Sequence, residues 1–424
     1  MLRALACLLA LSGPLAAQEF FTLKGHGGPI MDIAVSPDGQ IATASFDNAV
    51  GVWTGREPSW HDGHRAAVIS VVHLAPGQIL SGGDDFALWL WENGSGQKLG
   101  DHLGKITDIA SHNGQRVATA SWDGSVGLWD LTDEGVQRQD LAGHRNGVNA
   151  VQFVEGGTQL YSASSDGTIL LWDLAEGTSR VIVKHGFGIN ELIATDSWLA
   201  YGAVDGVTRI VDPETGEAIK DFTLGRRPIL AMAYDGVSQL AIGDGEGFIM
   251  VIDTQTWKIT RDFRATKTGP VWALAFSPDG QNIHAGGLED IMYSWPVETM
   301  DRHGTMSAET RSFLEDPDRL PNGERQFKRK CSICHSLTPS SERKAGPTLH
   351  ELFGRAAGTV PDYTYSDVLD GSDIIWSEAT IDGLFDEGPD HYIPGTKMPM
   401  QRITGAQDRA DLIDYLREAT LGEN

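Results

Sequence analysis

The chain is poor in cysteine, with three in 424 residues. Cys7 lies in the N-terminal apolar run, and the other two, Cys331 and Cys334, stand three positions apart. A pair that close cannot staple a chain of this length, so a disulfide framework is excluded and the two thiols must serve something local. Long apolar runs are also missing beyond the N-terminus, and nothing there approaches the ~20 residues that a membrane-spanning helix needs. Cations are scarce: 33 Lys and Arg stand against 58 Asp and Glu, for a formal charge of −25. That balance excludes nucleic acid and anionic membrane as natural partners.

The first residues, MLRALACLLALSGPLAAQ, carry one arginine, a short apolar core and small residues ending at Ala17. They predict a secretory signal peptide over 1–17, whose removal takes Cys7 with it. Export to the periplasm of a bacterium is the localisation this implies, with no membrane span left after cleavage.

What the chain has in abundance is glycine, 50 residues, much of it in Asp-Gly, Asn-Gly and Gly-Gly steps between short Val/Ile/Leu/Trp runs. This is the punctuation of a many-stranded antiparallel protein. The chain aligns with itself at a period of about 40 residues, most clearly in AGHRNGVNAVQFVEGGTQLYSASSDGTILLWDL (142–174). Each copy has an anchor near its end: Trp53, Trp91, Trp129, Trp172, Val211, Ile252 and Trp295. Six positions before each anchor stands an acid: Asp47, Asp85, Asp123, Asp166, Asp205, Glu246 and Glu289. A histidine recurs as His26, His64, His102, His144 and His185, then disappears. Because these residues return with the period, they are assigned to turns and core rather than to chemistry.

The pattern resembles the WD-repeat family over roughly residues 20–297. The resemblance implies seven four-stranded blades, each with a hydrogen-bonded chain of His, Ser/Thr, Asp and Trp. Ser45, Ser121 and Ser164 match the hydroxyl position, whereas Gly83, Ala203, Asp244 and Gly287 depart from it. Copies three and four are therefore expected to be well formed, and copies five and six to be held by packing alone. The family's arrangement also implies that FFTL (20–23) pairs beside MYSWPV (292–297) and closes the ring.

Two rings escape the core assignment. Phe46 and Trp122 come one residue before the turn aspartate, where a large side chain is expected to be exposed. Cations recur in the loops leading into the blades: Lys24, Arg65, Lys105, Arg145, Lys184, Arg226 with Arg227, and Lys267. In this fold those loops and turns share one face, which would suit an acidic partner protein, solvated loop cations being the plainer alternative.

After Trp295 the repeat stops, and residues 298–320 are expected to be a linker. GERQFKRKCSICHSL follows, and Cys-x-x-Cys-His is the attachment sequence of c-type haem. Cys331 and Cys334 would form thioethers and His335 would bind iron. A structural zinc site would need a second ligand pair that the sequence lacks, and a thioredoxin-like motif has no need of the histidine.

From here the chain resembles a mitochondrial-type class I cytochrome c, on CSICH, GPTLHELFGR (346–355), PDYTYSD (361–367), Trp376, HYIPGTKM (391–398) and RADLIDYL (409–416). The resemblance implies His335 as one axial ligand with its ring N–H on the Pro347 carbonyl, and Met398 as the other. It assigns Arg355, Tyr363, Tyr365 and Trp376 to the haem propionates. Gly323 and Phe327 are expected to pack against Leu412 and Tyr415. Phe385 stands where the family has a tyrosine, and Met400, where it has an aromatic, is expected to line or cap the haem edge. Lys330 and Lys397 belong to a partial ring of cations around that edge, interrupted by Asp386, Glu387 and Asp390.

The expectation is thus a multidomain chain: signal peptide 1–17, an all-β seven-bladed WD-repeat propeller over 18–297, linker 298–320, and an all-α class I cytochrome c domain over 321–424 carrying one haem c. With both axial positions filled the iron has no site for substrate, so the function expected is one-electron exchange between redox partner proteins, with the propeller as docking platform. The alternatives are a propeller that oxidises or reduces a small molecule and passes electrons to the haem, and a haem-bearing scaffold or sensor.

Overall fold

The structure is a computed structural model that describes residues 19–305 and 320–421, apart from 133, 227 and 268. The expected signal peptide, Arg227 and most of the expected linker lie outside the described residues. Among those described, the N-terminal part forms seven four-stranded antiparallel sheets. The first blade runs through Ile30–Val35, Ile41–Ser45, Ala49–Thr54 and Glu57–Asp62. Its second strand, IATAS, is buried at every position, while its last alternates between exposed and covered. That gradient is what a blade packed between two neighbours requires, since both faces of its middle strands are covered. The anchors Trp53, Trp91, Trp129, Trp172, Val211, Ile252 and Trp295 are all buried.

Ring closure follows the expectation. The strand Phe21–Lys24 pairs antiparallel with Ile291–Pro296, Phe21 opposite Ser294 and Lys24 opposite Ile291. The two ends of the repeat region are thereby joined in one sheet, and an open edge is avoided.

The hydroxyl in the polar chain is not the one assigned from the sequence. Thr43, Ser81, Thr119 and Ser162, two positions earlier, take that place. In the first blade Trp53 Nε1–H donates to Thr43 Oγ1 at 2.9 Å, and that hydroxyl lies 2.7 Å from His26 Nε2. His26 Nδ1 in turn lies 2.8 Å from an Asp47 oxygen. The second blade has the same chain through Ser81, at 2.7 Å from both His64 and Trp91, so it is fully formed. Ser45, Ser121 and Ser164 instead accept from the turn amides of Asp47, Asp123 and Asp166. Residues i and i+2 of a strand share a face, so strand period alone could not separate the two candidates.

Copies five and six are also not held by packing alone. His185 keeps a 3.0 Å contact to Asp205. In the sixth blade Arg226 stands in for the histidine, with nitrogens 3.1 Å from Asp244 and 2.7 Å from Asp262 and its guanidinium 4.2 Å above the Phe248 ring. There Asp244, not Glu246, accepts the turn amides, those of Glu246 and Phe248.

A feature absent from the sequence reading is a bulge on the innermost strand of every blade, at Ile30/Asp32 in the first and Ile106/Asp108 in the third. It re-aims the following side chain. Asp32 thereby accepts from Val71 N–H of the next blade at 2.9 Å, and Asp108 from Val151 N–H at 2.8 Å.

Among the described residues, the C-terminal part has four helices: α1 (Asn322–Lys330), α2 (Glu378–Glu387), α3 (Pro389–Tyr392) and α4 (Ala406–Ala419). Gly323 lets α1 cross α4, because a Cβ at that position would lie 2.0 Å from the Asp411 carbonyl oxygen. Phe327 and Tyr415 pack with ring centroids 5.5 Å apart, and Leu412 is buried beside them. A capping box at Ser377 and Thr380 starts α2, which satisfies two of the amides a helix start leaves free. No helix among the described residues is long and apolar enough to cross a membrane.

Candidate functional site

The helical domain supplies most of the lining of a cavity of about 1220 Å³. At the end of α1 the chain continues in a tight turn: Cys334 N–H and His335 N–H both donate to the Cys331 carbonyl, at 3.0 and 2.8 Å. That turn gathers both thiols and the imidazole onto one wall of the cavity. The thiols are buried, and burial pushes the Cys331 pKa up to about 12 and that of Cys334 up to about 11, leaving both protonated.

His335 is oriented by the main chain. Its Nδ1 lies 2.7 Å from the Pro347 carbonyl oxygen. A carbonyl can only accept, so Nδ1 carries the proton and Nε2 keeps its lone pair. Burial holds the imidazole pKa below its ordinary value, which preserves that neutral form. Gly346 is required here: a Cβ would lie 2.4 Å from His335 Cε1. Met398, on the loop after α3, lines the same cavity and packs into the domain core.

Arg355, Tyr363, Tyr365, Trp376 and Phe385 also line the cavity. The Arg355 guanidinium donates to the carbonyls of His350 and Thr348 at 2.6 and 2.7 Å. The Tyr363 phenol donates to the Ala345 carbonyl at 2.6 Å and stands edge-on to Tyr365 at 4.9 Å. Burial raises the pKa of both phenols, so both stay neutral. Met400 is a correction: it is not among the lining residues but half exposed, against Gly388, where a Cβ would come within 2.7 Å of its sulfur. The chain bends at Lys397 and Met398, and Gln401 takes the cavity side instead.

The cavity does not stop at the domain boundary. Phe46, Arg65, Lys105 and Trp122 of the propeller line it, together with Lys330 and Lys397 of the helical domain. Six of the docking candidates therefore converge on one place. Arg145 and Lys267 are exposed elsewhere, Arg226 is tied down by its two aspartates, and Arg227 lies outside the described residues. The sequence reading missed Phe86, which also lines the cavity. Its signal was available: Asp85-Phe86 stands where other turns read Asp-Gly, Asp-Asn or Glu-Gly.

Among the described residues, several contacts join the two domains. Arg343 Nη2 lies 2.6 Å from Asp62, with its guanidinium 4.4 Å above the Trp60 ring. Arg65 lies 3.6 Å from Asp367, both largely exposed. The backbone at Glu342 and Arg343 packs directly on Gly27.

The residues present fit a haem c. Two adjacent thiols, a neutral imidazole held through its far nitrogen and a thioether share one large cavity with tyrosine, tryptophan and arginine donors. Comparisons with known proteins agree. The cytochrome c family matches residues 320–420, and the WD domain, G-beta repeat family matches residues 17–54, 95–130, 135–173 and 257–295. Cytochrome c of Sesamum indicum is 46% identical over 105 residues, which are 24% of this chain and 93% of the relative. Cytochrome c of Ginkgo biloba is 41% identical over 113 residues, 26% of this chain and 99% of the relative. That of Theileria parva is 43% identical over 98 residues, 23% of this chain and 84% of the relative. Through its C-terminal quarter the chain belongs to the cytochrome c family, a haem c electron-transfer domain joined here to a seven-bladed WD-repeat propeller.

Proposed function

We propose that the protein is an exported, periplasmic one-electron carrier in which His335 and Met398 ligate the haem iron and the propeller serves as docking platform for redox partner proteins. The observation that carries this reading is the shared cavity: His335, Met398 and both thiols line it, with His335 Nδ1 anchored at 2.7 Å to the Pro347 carbonyl. When bound, the haem supplies an Fe(II)/Fe(III) couple, and a soft thioether ligand favours the ferrous state. The chain's own part is positional. Cys331 and Cys334 hold the group covalently, Pro347 fixes the imidazole, and the domain core around Phe327, Leu384 and Leu412 keeps water out.

The test is the spectrum and stoichiometry of the purified protein. One low-spin c-type haem that takes up one electron per chain, with the sulfur–iron band in the near infrared of the ferric form, is expected. An additional chromophore, or reduction of the haem by a small metabolite alone, would favour the substrate-oxidising propeller instead. N-terminal sequencing of periplasmic protein tests export, with Gln18 expected as the first residue.

A further inference from the structure

Phe86 is held in a backbone conformation that its neighbours reserve for other residues. It occupies the fourth position of the turn filled elsewhere by Asn48, Gly124, Gly167, Gly206 and Gly247, all with positive φ. Phe86 adopts φ 68° and makes the same closing bond, its N–H donating to the Gly83 carbonyl at 3.0 Å. A bulky residue in the left-handed region is strained, and strain of that kind concentrates where a side chain has a task. The ring is 42% exposed, so packing within the propeller does not account for it. It does line the cavity that holds Cys331, Cys334, His335 and Met398.

Trp122 lines the same cavity and is 54% exposed. Its orientation is fixed on two sides: Nε1–H donates to Asn149 Oδ1 at 3.0 Å, and Lys105 Nζ lies 3.6 Å from the ring centroid. A large aromatic side chain is thus held in place and left about half exposed, at the wall of a cavity that a flat, apolar cofactor would fill.

We propose that Phe86 and Trp122 form the outer wall of the haem site, so that the propeller covers the haem edge and the cofactor is held between two domains. The inference rests on the haem site, not on how its electrons are used. Ferric haem carries one more positive charge than ferrous, so a wall that excludes water favours the ferrous form. It also keeps small aqueous reagents from the edge.

Phe86→Gly and Trp122→Ala, measured in the full haem-loaded chain, test this. Both are expected to shift the reduction potential downward and to quicken oxidation of the ferrous protein by ferricyanide. Phe86→Gly is expected to leave the propeller no easier to unfold, because glycine accepts φ 68° without strain. Phe187→Ala, which removes a ring 60% exposed and outside the cavity, serves as control and should change neither quantity. An unchanged potential and unchanged ferricyanide rate in both wall variants overturns the proposal, as does an equal shift in the control. The outcome is separable from the ligation reading: a missing sulfur–iron band in the unaltered protein strikes Met398, whereas an intact band with unshifted wall variants strikes only the wall.

Discussion

The carbonyl oxygen of Glu342 in the cytochrome domain occupies the space that a side chain on Gly27 of the propeller would need. A Cβ there would lie 2.2 Å from that oxygen and 2.3 Å from the carbonyl carbon of Arg343. Backbone cannot yield as a flexible side chain can, and Glu342 and Arg343 are themselves in left-handed conformations, at φ 51° and 53°. The nearby ion pairs are weak alternatives: Arg65 and Asp367 are 70% and 91% exposed, and pairs of that kind contribute about 0–1 kcal/mol. Gly27→Val is therefore expected to separate the two domains while leaving each folded. Small-angle scattering should show a larger radius of gyration with an unchanged haem spectrum; an unchanged radius would refute the contact.

Met398 and Met400 are expected to behave differently despite being two residues apart. If Met398 ligates the iron as proposed, Met398→Ala should abolish the sulfur–iron band and lower the reduction potential, because a neutral soft ligand would be lost. Met400→Ala should leave the band in place, since its side chain is half exposed and outside the cavity. Near-infrared absorption of the ferric variants decides the assignment, and a band lost only in the Met400 variant would reverse it.

Within the third blade, Thr119→Val should destabilise the propeller by about 2–4 kcal/mol, as two buried partners, His102 Nε2 and Trp129 Nε1, lose the hydroxyl they share. Ser121→Ala should cost less, about 1 kcal/mol, because the longer 3.2 Å bonds to the Asp123 amide and the Gly104 carbonyl are what it loses. Urea unfolding of the pair measures the difference. Equal losses would return the polar chain to the serine position.

Asp32 and Asp108 should make the propeller's stability depend on pH in the direction opposite to that of an ordinary carboxylate. Burial on the innermost strands raises Asp32 to about 6 and Asp108 to about 7, and the two repel one another. Their folded-state values lie above the unfolded one, so the folded chain binds more protons between about pH 4 and 7. This contribution therefore falls as pH rises through that window. Asp108→Asn removes one such group, so the variant should gain on the unaltered protein progressively from pH 4.5 to 7.5, by an amount of order a few kcal/mol. Denaturant midpoints of both proteins at the two pH values provide the check; a constant difference would show that Asp108 does not titrate in this range.

Much of this architecture was legible in the residues. The ~40-residue period located the seven anchors, and Phe21–Lys24 closes the ring where the repeat offset placed it. Cys-x-x-Cys-His identified the haem segment, because the chemistry of attachment demands those residue types at that spacing. Less was legible where a local rule has two solutions. Thr43 and Ser45 share a strand face, and only packing against His26 and Trp53 shows which hydroxyl completes the chain. Likewise, Met400 looked like a lid over the haem until the bend at Lys397 and Met398 turned Gln401 inward.

The sequence by itself determined the two folds and the cofactor, because repeat period and covalent attachment are properties of spacing along the chain. The tertiary structure alone decided that Phe46, Arg65, Phe86, Lys105 and Trp122 meet the haem cavity across a domain boundary. Those residues are more than 200 positions from Cys331. No local pattern links them; the link is made by the backbone contact at Gly27 and by Arg343 lying on Trp60 and Asp62.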